Sequence, residues 1–375
     1  MKLKLLTLTS LFFINSNIIN AQNTNTGTDA GNAGTNNSAF GYYAGNVVTG
    51  NNNSFFGTNS GLNTTSGSNN VFAGYKSGNT NTTGQKNIFI GSEAGKFNVE
   101  GSFNVFFGNQ SGYFNTSGVA NVFLGYKSGY GNLTGSHNVF SGYGAGTYNT
   151  TGRHNIFTGY EAGYLNSTGE YNVIIGDESG YSSNGTGNTF TGRQAGYQNV
   201  TGNYNVAMGY KAGYSNSAGS YNIFLGYKAG ENETTSNRLY IDNSPTITPL
   251  IYGKFDTDQL GINTNIIPTG YTMAVKGKFI TEEVKVQTYT NWPDFVFKKE
   301  YNLPTLSEVE QHIKENGHLQ NIPSASEVSE NGILLGEMNA KLLQKIEELT
   351  LYIIQQEKRF NDQEARLKKL EAKSK

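Results

Sequence analysis

Apolar and polar positions recur in a fixed frame along the middle of the chain. Twelve times between Asn37 and Gly230, an Asn precedes three mostly apolar residues and a Gly, and a second Gly follows four positions later, after Ala or Ser. The Asn lies at positions 37, 53, 70, 87, 104, 121, 138, 155, 172, 188, 205 and 222, so the period is 17 residues with two steps of 16. Each apolar triplet, such as 122–124, predicts a short strand. The two glycines predict backbone with positive φ or without room for a Cβ.

A repeat of this length determines the predicted fold class. Seventeen residues cannot bury a core alone, so successive copies must stack into a solenoid with a shared interior. We therefore predict a mainly β fold, with a parallel β-roll or solenoid head of twelve repeats over 37–236. No proline falls in these repeats, as expected for a ladder that uses every N–H. The predicted core column is Phe55, Phe72, Phe89, Phe106, Phe123, Phe140, Phe157, Phe190 and Phe224.

The frame ends near Ser236, and the pattern beyond it predicts two further regions. Residues 237–270 contain short apolar runs separated by Pro245, Pro249 and turns, which is typical of a β connector that caps the open edge of the ladder. Residues 271–332 predict a small α+β segment with strands at Met273–Val275 and Val284–Val286. A helix follows, with Ser307 as N-cap and Glu310 completing a capping box.

The last region, 333–375, carries a heptad pattern. Apolar residues alternate at spacings of three and four over about five heptads, which predicts a terminal coiled coil. The seam comprises Leu335, Asn339, Leu342, Ile346, Leu349, Ile353, Gln356, Phe360, Gln363, Leu367 and Leu370. An amphipathic helix packed on the preceding segment is the alternative. Ile at a positions with Leu at d positions favours two strands, so this seam does not itself specify a trimer.

The first residues and the composition indicate where the protein acts. Residues 1–21 combine Lys2 and Lys4 with a short apolar run and a small residue, Ala21, which is the layout of a signal peptide. We therefore expect an exported protein, extracellular or held at the cell surface, without a membrane span after signal removal. Residues 22–36 are interpreted as a loose leader or a degenerate first repeat. The net charge of −1 offers no basic surplus for nucleic acid, and the chain has no cysteine.

Two resemblances follow from these motifs. The repeated frame, as in Asn121–Gly129, resembles the head repeats of YadA-like trimeric adhesins, although the family's usual repeat is shorter. This resemblance implies a left-handed parallel β-roll that forms homotrimers. The C-terminal stretches Trp292–Phe297, Leu303–Leu306, Asn316–Leu319, Ile322–Ala325 and Leu335–Asn339 resemble the tail-fibre-type domains of exported Bacteroidetes proteins, related to peptidase S74 intramolecular chaperones.

The second resemblance implies a chaperone and trimerisation role for 271–332. Self-cleaving members of the S74 group use a Ser-Asp pair, and no Ser-Asp dipeptide occurs in this chain. The equivalent stretch is Asn291–Asp294. The chain also ends at Lys375 without the membrane β-barrel anchor of YadA-type adhesins. The resemblance therefore implies oligomerisation without self-cleavage or self-transport.

Enzyme, cofactor and metal signals are weak. The four histidines, His137, His154, His312 and His318, are not spaced as a metal pair, and no nucleophile has a base beside it. The glycine-rich frames lack the Gly-Lys-Ser/Thr of a phosphate loop. We expect a protein that is not an enzyme and that has no catalytic, metal or cofactor-binding residues.

Tyrosines are the candidate contact residues. One set follows the first glycine of the frame, and another follows the second glycine: Tyr113, Tyr130, Tyr164, Tyr181, Tyr197 and Tyr214. If these rings face solvent, they form a ladder suited to contact with a surface glycan or with a host or cell-surface protein. The alternative is that the stacked rings only stabilise the solenoid or a seam between copies.

These expectations combine into one functional hypothesis. The chain is predicted to be an exported fibrous surface adhesin or structural binding protein, trimerised by its C-terminal chaperone-like stem. The alternative is a tail-spike-like glycan-binding, glycan-hydrolysing or self-cleaving protein of the S74 type. A phage-derived tail fibre is a third possibility, against which the signal peptide counts.

Overall fold

A computed structural model of the chain describes residues 23–27, 30–31, 34–287 and 292–374. The predicted signal peptide, 1–21, lies outside the described residues. The chain divides into two compact units between Lys278 and Phe279.

The first unit is a parallel β-solenoid, which confirms the predicted fold class. Strands β1 to β14 pair in chain order, all parallel, with equivalent residues side by side, as Phe106, Phe123 and Phe140 show. The strands are β1 Asn23–Thr26, β2 Asn37–Phe40, β3 Ser54–Phe56, β4 Val71–Ala73, β5 Ile88–Ile90, β6 Val105–Phe107, β7 Val122–Leu124, β8 Val139–Ser141, β9 Ile156–Thr158, β10 Val173–Ile175, β11 Thr189–Thr191, β12 Val206–Met208, β13 Ile223–Leu225 and β14 Arg238–Ile241. Strand β1 pairs with β2 as a further rung, so the described part of 22–36 continues the ladder.

Three more strands follow the parallel ladder. They are β15 Ile251–Lys254, β16 Gln259–Ile262 and β17 Met273–Val275. Strand β15 pairs antiparallel with both β14 and β16, while β17 is parallel to β16. The antiparallel strands end the repeat. A further parallel rung would need another copy of the repeated frame of one Asn and two glycines.

The interior is a single column of stacked phenylalanines. All nine predicted core phenylalanines are buried, with no more than 1% of any side chain exposed. From Phe72 to Phe157, neighbouring ring centroids lie 4.7–4.9 Å apart with planes within 8° of parallel. Ile174 and Ala207 fill the same column in two rungs. Each buried ring contributes on the order of 1.5–3 kcal/mol, so this column supplies most of the apolar driving force.

Two columns of buried asparagine connect the rungs. The N–H of Asn121 donates to Oδ1 of Asn104 (2.9 Å), one rung back, and its Nδ2 donates to the carbonyl of Gly135 (2.8 Å). Asn132 belongs to a second column, and its Nδ2 donates to the same Gly135 carbonyl (2.9 Å) and to Oδ1 of Asn115 (2.6 Å). Most of these amides thus satisfy one another inside the solenoid, where unpaired polar groups would be costly.

The two predicted glycine positions are required for different reasons. Gly125 has φ 132°, and a Cβ there would lie 2.4 Å from the carbonyl oxygen of Gly142 in the next rung. Gly129 has φ 58°, and its Cβ would lie 2.5 Å from the ring of Phe123. The first glycine allows rungs to stack closely, and the second makes room for the core ring.

Left-handed backbone also occurs at two non-glycine positions in most rungs. Lys127, two residues after the first glycine, has φ 54°, and His137, just before the ladder asparagine, has φ 61°. Equivalent residues elsewhere include Glu161, Tyr171 and Lys211, with φ between 49° and 58°. This conformation costs roughly 1–2 kcal/mol for a residue with a Cβ, so stacking must compensate for it in each rung.

The second unit contains a 3₁₀ helix, Pro293–Phe297, and the helices α1 Leu306–Asn316, α2 Ala325–Asn331 and α3 Leu335–Lys373. The predicted capping box was wrong by two residues: Thr305 caps α1, and its partner is Glu308. The Thr305 side chain accepts from the N–H of Glu308, so the helix begins at Leu306, directly after Thr305. The predicted strand at 284–286 was also wrong, because the described residues 281–287 form no strand.

Candidate interaction surfaces

The predicted tyrosine ladder lies along one surface of the solenoid, which we call the turn face. It comprises the residues directly after the first glycine, two residues after it, and directly after the second glycine of each rung. The six tyrosines Tyr113, Tyr130, Tyr164, Tyr181, Tyr197 and Tyr214 are partly buried. Centroids are 5.0 Å apart for Tyr113 with Tyr130, and 5.0–5.1 Å along the run from Tyr164 to Tyr214. Buried Thr147 occupies this position in the rung between the two runs.

Stacking determines which part of each ring a ligand can reach. Tyr181 and Tyr197 each have a parallel ring on both sides, with planes 6–15° apart. Their faces are therefore covered, and only ring edges and hydroxyls are available. A sugar cannot stack on the face of these rings, so ligand contact at this ladder would depend on hydrogen bonds and edges.

The phenols of Tyr130, Tyr164, Tyr181 and Tyr197 stay protonated over the ordinary pH range. Burial raises the pKa of Tyr130, Tyr181 and Tyr197 above the usual value for tyrosine. Burial and a hydrogen bond with Tyr148 raise the pKa of Tyr164 to about 12. These four tyrosines thus present neutral hydroxyls that can both donate and accept.

A charged column separates the two tyrosine columns of the turn face. The ammonium of Lys127 lies 5.3 Å from the ring centroid of Tyr126 and 5.4 Å from that of Tyr130, so it bridges the columns. Lys211 lies 4.8 Å from the centroid of Tyr214. These cation–π contacts stabilise the lysines at the left-handed turn position and connect the two tyrosine columns.

A third aromatic column was missed in the sequence. It consists of the residues just before the ladder asparagine, where His137 stacks on His154 (4.9 Å) and His154 stacks on Tyr171 (4.9 Å). Tyr204 and Tyr221 continue it, and both are more than half exposed. The sequence signal for this column was the 17-residue spacing of these residues. It was obscured because different residue types occupy the position in different rungs.

The outer side of the parallel strands forms a second surface, which we call the sheet face. In each strand the residues before and after the buried core residue point away from it. Nine of these outward side chains are large, apolar and 37–56% exposed: Phe56, Val71, Ile88, Phe107, Leu124, Val139, Ile156, Ile175 and Met208. An exposed row of large apolar side chains is typical of an interaction surface.

The seam of helix α3 is the third surface. All eleven predicted seam residues, from Leu335 to Leu370, are exposed in the single chain. The contacts that α3 makes with its own unit lie along the side of the helix that flanks the first part of the seam. Tyr301 donates to Oε1 of Glu348 (2.5 Å), and Tyr352 donates to the carbonyl of Pro304. The helix itself was correctly predicted, while its pairing remains a prediction.

The described residues offer neither a metal site nor a membrane-spanning helix. In this part of the chain no three His, Cys, Asp or Glu side chains are grouped to hold a metal ion. No helix among the described residues is both long and apolar enough to cross a bilayer. No protein-family model, no curated protein and no solved structure matches the chain.

Proposed function

We propose that the protein is an exported, self-associating fibre in which helix α3 joins three copies and the solenoid performs surface adhesion or another structural binding role. The observation that carries this proposal is the exposed seam of α3. Its apolar members, including Ile346, Ile353 and Phe360, are 45–65% exposed. A seam of this length that its own chain leaves uncovered supports association with further copies.

The energetics of α3 support the same proposal. Helices α1 and α2 have no buried residues, and in α3 only Glu347 and Glu348 are buried. A helix gains most of its stability in proteins from packing an apolar face, and isolated helices are marginal in water. Thirty-nine helical residues with an unpacked seam therefore favour an assembled state.

The sheet face offers a second contact between copies, but a small one. Strands β3 to β13 are three residues long. The sheet face therefore measures roughly 50 Å by 10 Å, or about 500 Å² per copy. A stable interface buries about 800 Å² per partner. We propose that the sheet face acts together with α3, because tethering raises the effective concentration of a weak contact.

The two family resemblances belong to this proposal. The repeated frame of Asn and two glycines supports placing the head with YadA-like adhesins, and the motifs from Trp292 to Asn339 support placing the stem with S74-type chaperone domains. In this proposal the stem aligns the copies, since stacked parallel strands lack local hairpins and their register is slow to establish.

Light scattering on the purified mature chain, with a denaturing gel beside it, tests the proposal. We expect the mass of three intact chains. The double variant Ile346→Asp with Ile353→Asp should be monomeric, because it places charges in the seam. The matched control Gln355→Asp with Asn361→Asp, on the outer side of the same helix, should remain assembled. A monomeric wild-type chain would overturn the proposal, and a shortened chain on the gel would favour self-cleavage.

A further inference from the structure

The charges that flank the α3 seam are segregated by side. In the last three heptads, the e positions beside the seam are Glu357, Glu364 and Glu371, and the g positions on the other side are Arg359, Arg366 and Lys373. The earlier heptads lack this pattern. Helix α3 is continuous from Leu335 to Lys373, so the heptad register is unbroken and both charged rows flank one seam.

Within its own chain this basic row is largely unpaired. Glu364 is joined to Lys368 (2.9 Å), an ordinary pair one helical turn apart. Among the residues that the structure describes, Arg359 and Arg366 form no ion pair, and both are exposed. Two guanidinium groups at the edge of an exposed apolar seam are therefore available to a carboxylate of another helix.

The g positions of the earlier heptads are used differently, because their side chains bond within the chain's own unit. Lys345 pairs with Glu348 (2.8 Å), and Tyr352 donates to the carbonyl of Pro304. The charge pattern is thus confined to 357–373, where every residue is exposed and no side-chain hydrogen bond or ion pair reaches the rest of the described unit. The charged side chains of this segment are therefore available to determine which helix pairs with α3.

Helix orientation decides whether these rows attract or repel. In a parallel coiled coil, a g residue faces the e residue of the next heptad on the neighbouring helix. In an antiparallel pair, g faces g and e faces e. An antiparallel pair that overlaps these three heptads would bring Arg359 and Arg366 against basic residues, and Glu364 and Glu371 against acidic ones, which is destabilising. An antiparallel pair that overlaps the whole helix would place both rows opposite the earlier heptads, which carry no complementary charged row.

We propose that α3 pairs in parallel and in register with a second copy of itself, with Arg359 facing Glu364 of the next copy and Arg366 facing its Glu371. This inference rests on the proposed self-association and specifies its geometry. The occupant of the seam is a copy of this chain, since the basic and acidic rows of one helix complement those of an identical parallel helix.

Charge-reversal variants of the full mature chain test the pairing. Glu364→Lys with Glu371→Lys places Lys opposite Arg359 and Arg366, and Arg359→Glu with Arg366→Glu places Glu opposite Glu364 and Glu371. Each variant alone should lose on the order of tenfold or more in association at low salt, and an equimolar mixture should form mixed oligomers. The control Lys358→Glu with Lys369→Glu, on outer positions of the helix, should associate as the wild type does.

A single introduced thiol tests the orientation. The chain has no cysteine, so Gln363→Cys places one sulfur in a seam position away from the middle of α3. Mild oxidation should give disulfide-linked dimers from a parallel in-register assembly. If the wild-type chain assembles but the Gln363→Cys variant gives no cross-linked dimer, or if the charge-reversal variants associate as the wild type does, the inference is overturned and the proposed function stands. A monomeric wild-type chain would overturn both.

Discussion

At the scale of the residue, the solenoid depends on atoms that repeat in the same place in every rung. The carbonyl of Gly135 accepts from Asn121 and Asn132, and a Cβ on Gly135 would lie 2.3 Å from Oδ1 of Asn132. Glycine is therefore needed where two amide columns converge. A glycine that looks like a turn former in the sequence is in fact needed because it leaves room for a buried hydrogen-bond network.

Gly125→Ala tests the close approach of rungs. The new Cβ would meet the Gly142 carbonyl at 2.4 Å, in addition to the strain of φ 132°. Gly270→Ala is the control, because Gly270 has φ 88° but nothing within 4 Å of its Cβ. We expect about 1–3 kcal/mol of destabilisation from strain alone in the control and a larger loss for Gly125→Ala, measured by denaturant unfolding. Equal losses would show that rung spacing is not limited by this contact.

Asn184 compensates for a missing residue. Its rung, 172–187, has 16 residues, and its Oδ1 accepts from the N–H groups of Ser167 (2.9 Å), Thr168 (2.8 Å) and Gly169 (3.2 Å). In the regular rungs a backbone carbonyl fills this role, as Leu133 does for Thr116 (2.9 Å).

Asn184→Ala should therefore destabilise the solenoid by about 1–3 kcal/mol, because three donors lose their acceptor. Hydrogen exchange at Ser167 and Thr168 should accelerate. Asn184→Asp retains the oxygen and should stay close to the wild type. Unchanged exchange in the alanine variant would contradict this role.

At the scale of the element, the phenylalanine column is a stack in which each ring supports two others. Phe106 lies 4.7 Å from Phe89 and 4.8 Å from Phe123, with planes 5° from parallel. Phe106→Ala should cost about 3–5 kcal/mol of unfolding free energy, since a cavity would open between two rings. Phe106→Ile should cost less, because Ile174 already occupies this column in another rung. Thermal unfolding compares the two, and equal losses would indicate that volume does not matter here.

The end of the ladder depends on one carboxylate. Glu233 accepts from the hydroxyl of Tyr240 (2.8 Å) in β14 and from the side chain (2.6 Å) and N–H (2.8 Å) of Thr235. Burial would raise the pKa of Glu233, but these hydrogen bonds outweigh it and hold the pKa below the usual value. The cap strands are thus joined to the last rung through an ionised group.

This arrangement predicts a specific pH dependence. Because the folded-state pKa of Glu233 is depressed, its contribution to stability is present above the unfolded-state pKa and is lost as pH falls through the folded-state value. Glu233→Gln should therefore be less stable than the wild type at neutral pH, with a shallower loss on acidification. Unfolding midpoints measured from neutral to acidic pH would reveal the change in slope, and parallel curves would contradict it.

At the scale of the whole molecule, the sheet face and the turn face differ in what they offer. The sheet face is apolar and unpartnered, whereas the rings of the turn face cover one another. Phe107→Glu with Leu124→Glu should weaken association of the full chain while leaving it folded, because both side chains are outward and 39–56% exposed. Ser117→Glu with Thr134→Glu, in an exposed turn, is the control for added charge. Sedimentation over a concentration series measures the difference, and unchanged association would limit the contact to α3.

The sequence alone determined the solenoid, its rung length, its core column and the long C-terminal helix. Each follows from spacing: a 17-residue frame cannot bury a core unless copies stack, and unbroken heptads predict one helix. The core position of Phe123 was readable because a single aromatic residue recurs between outward neighbours.

Only the tertiary structure decided which surfaces remain available. Stacking of Tyr181 between two rings covers faces that the sequence left open to sugars. The left-handed turns at Lys127 and His137 were unreadable, because these residue types rarely signal positive φ and neighbouring rungs stabilise them. Thr305 rather than Ser307 caps α1 because two overlapping capping motifs compete, and the chain forms the earlier one. Spacing thus defines the ladder, whereas exposure depends on contacts between residues a full rung apart.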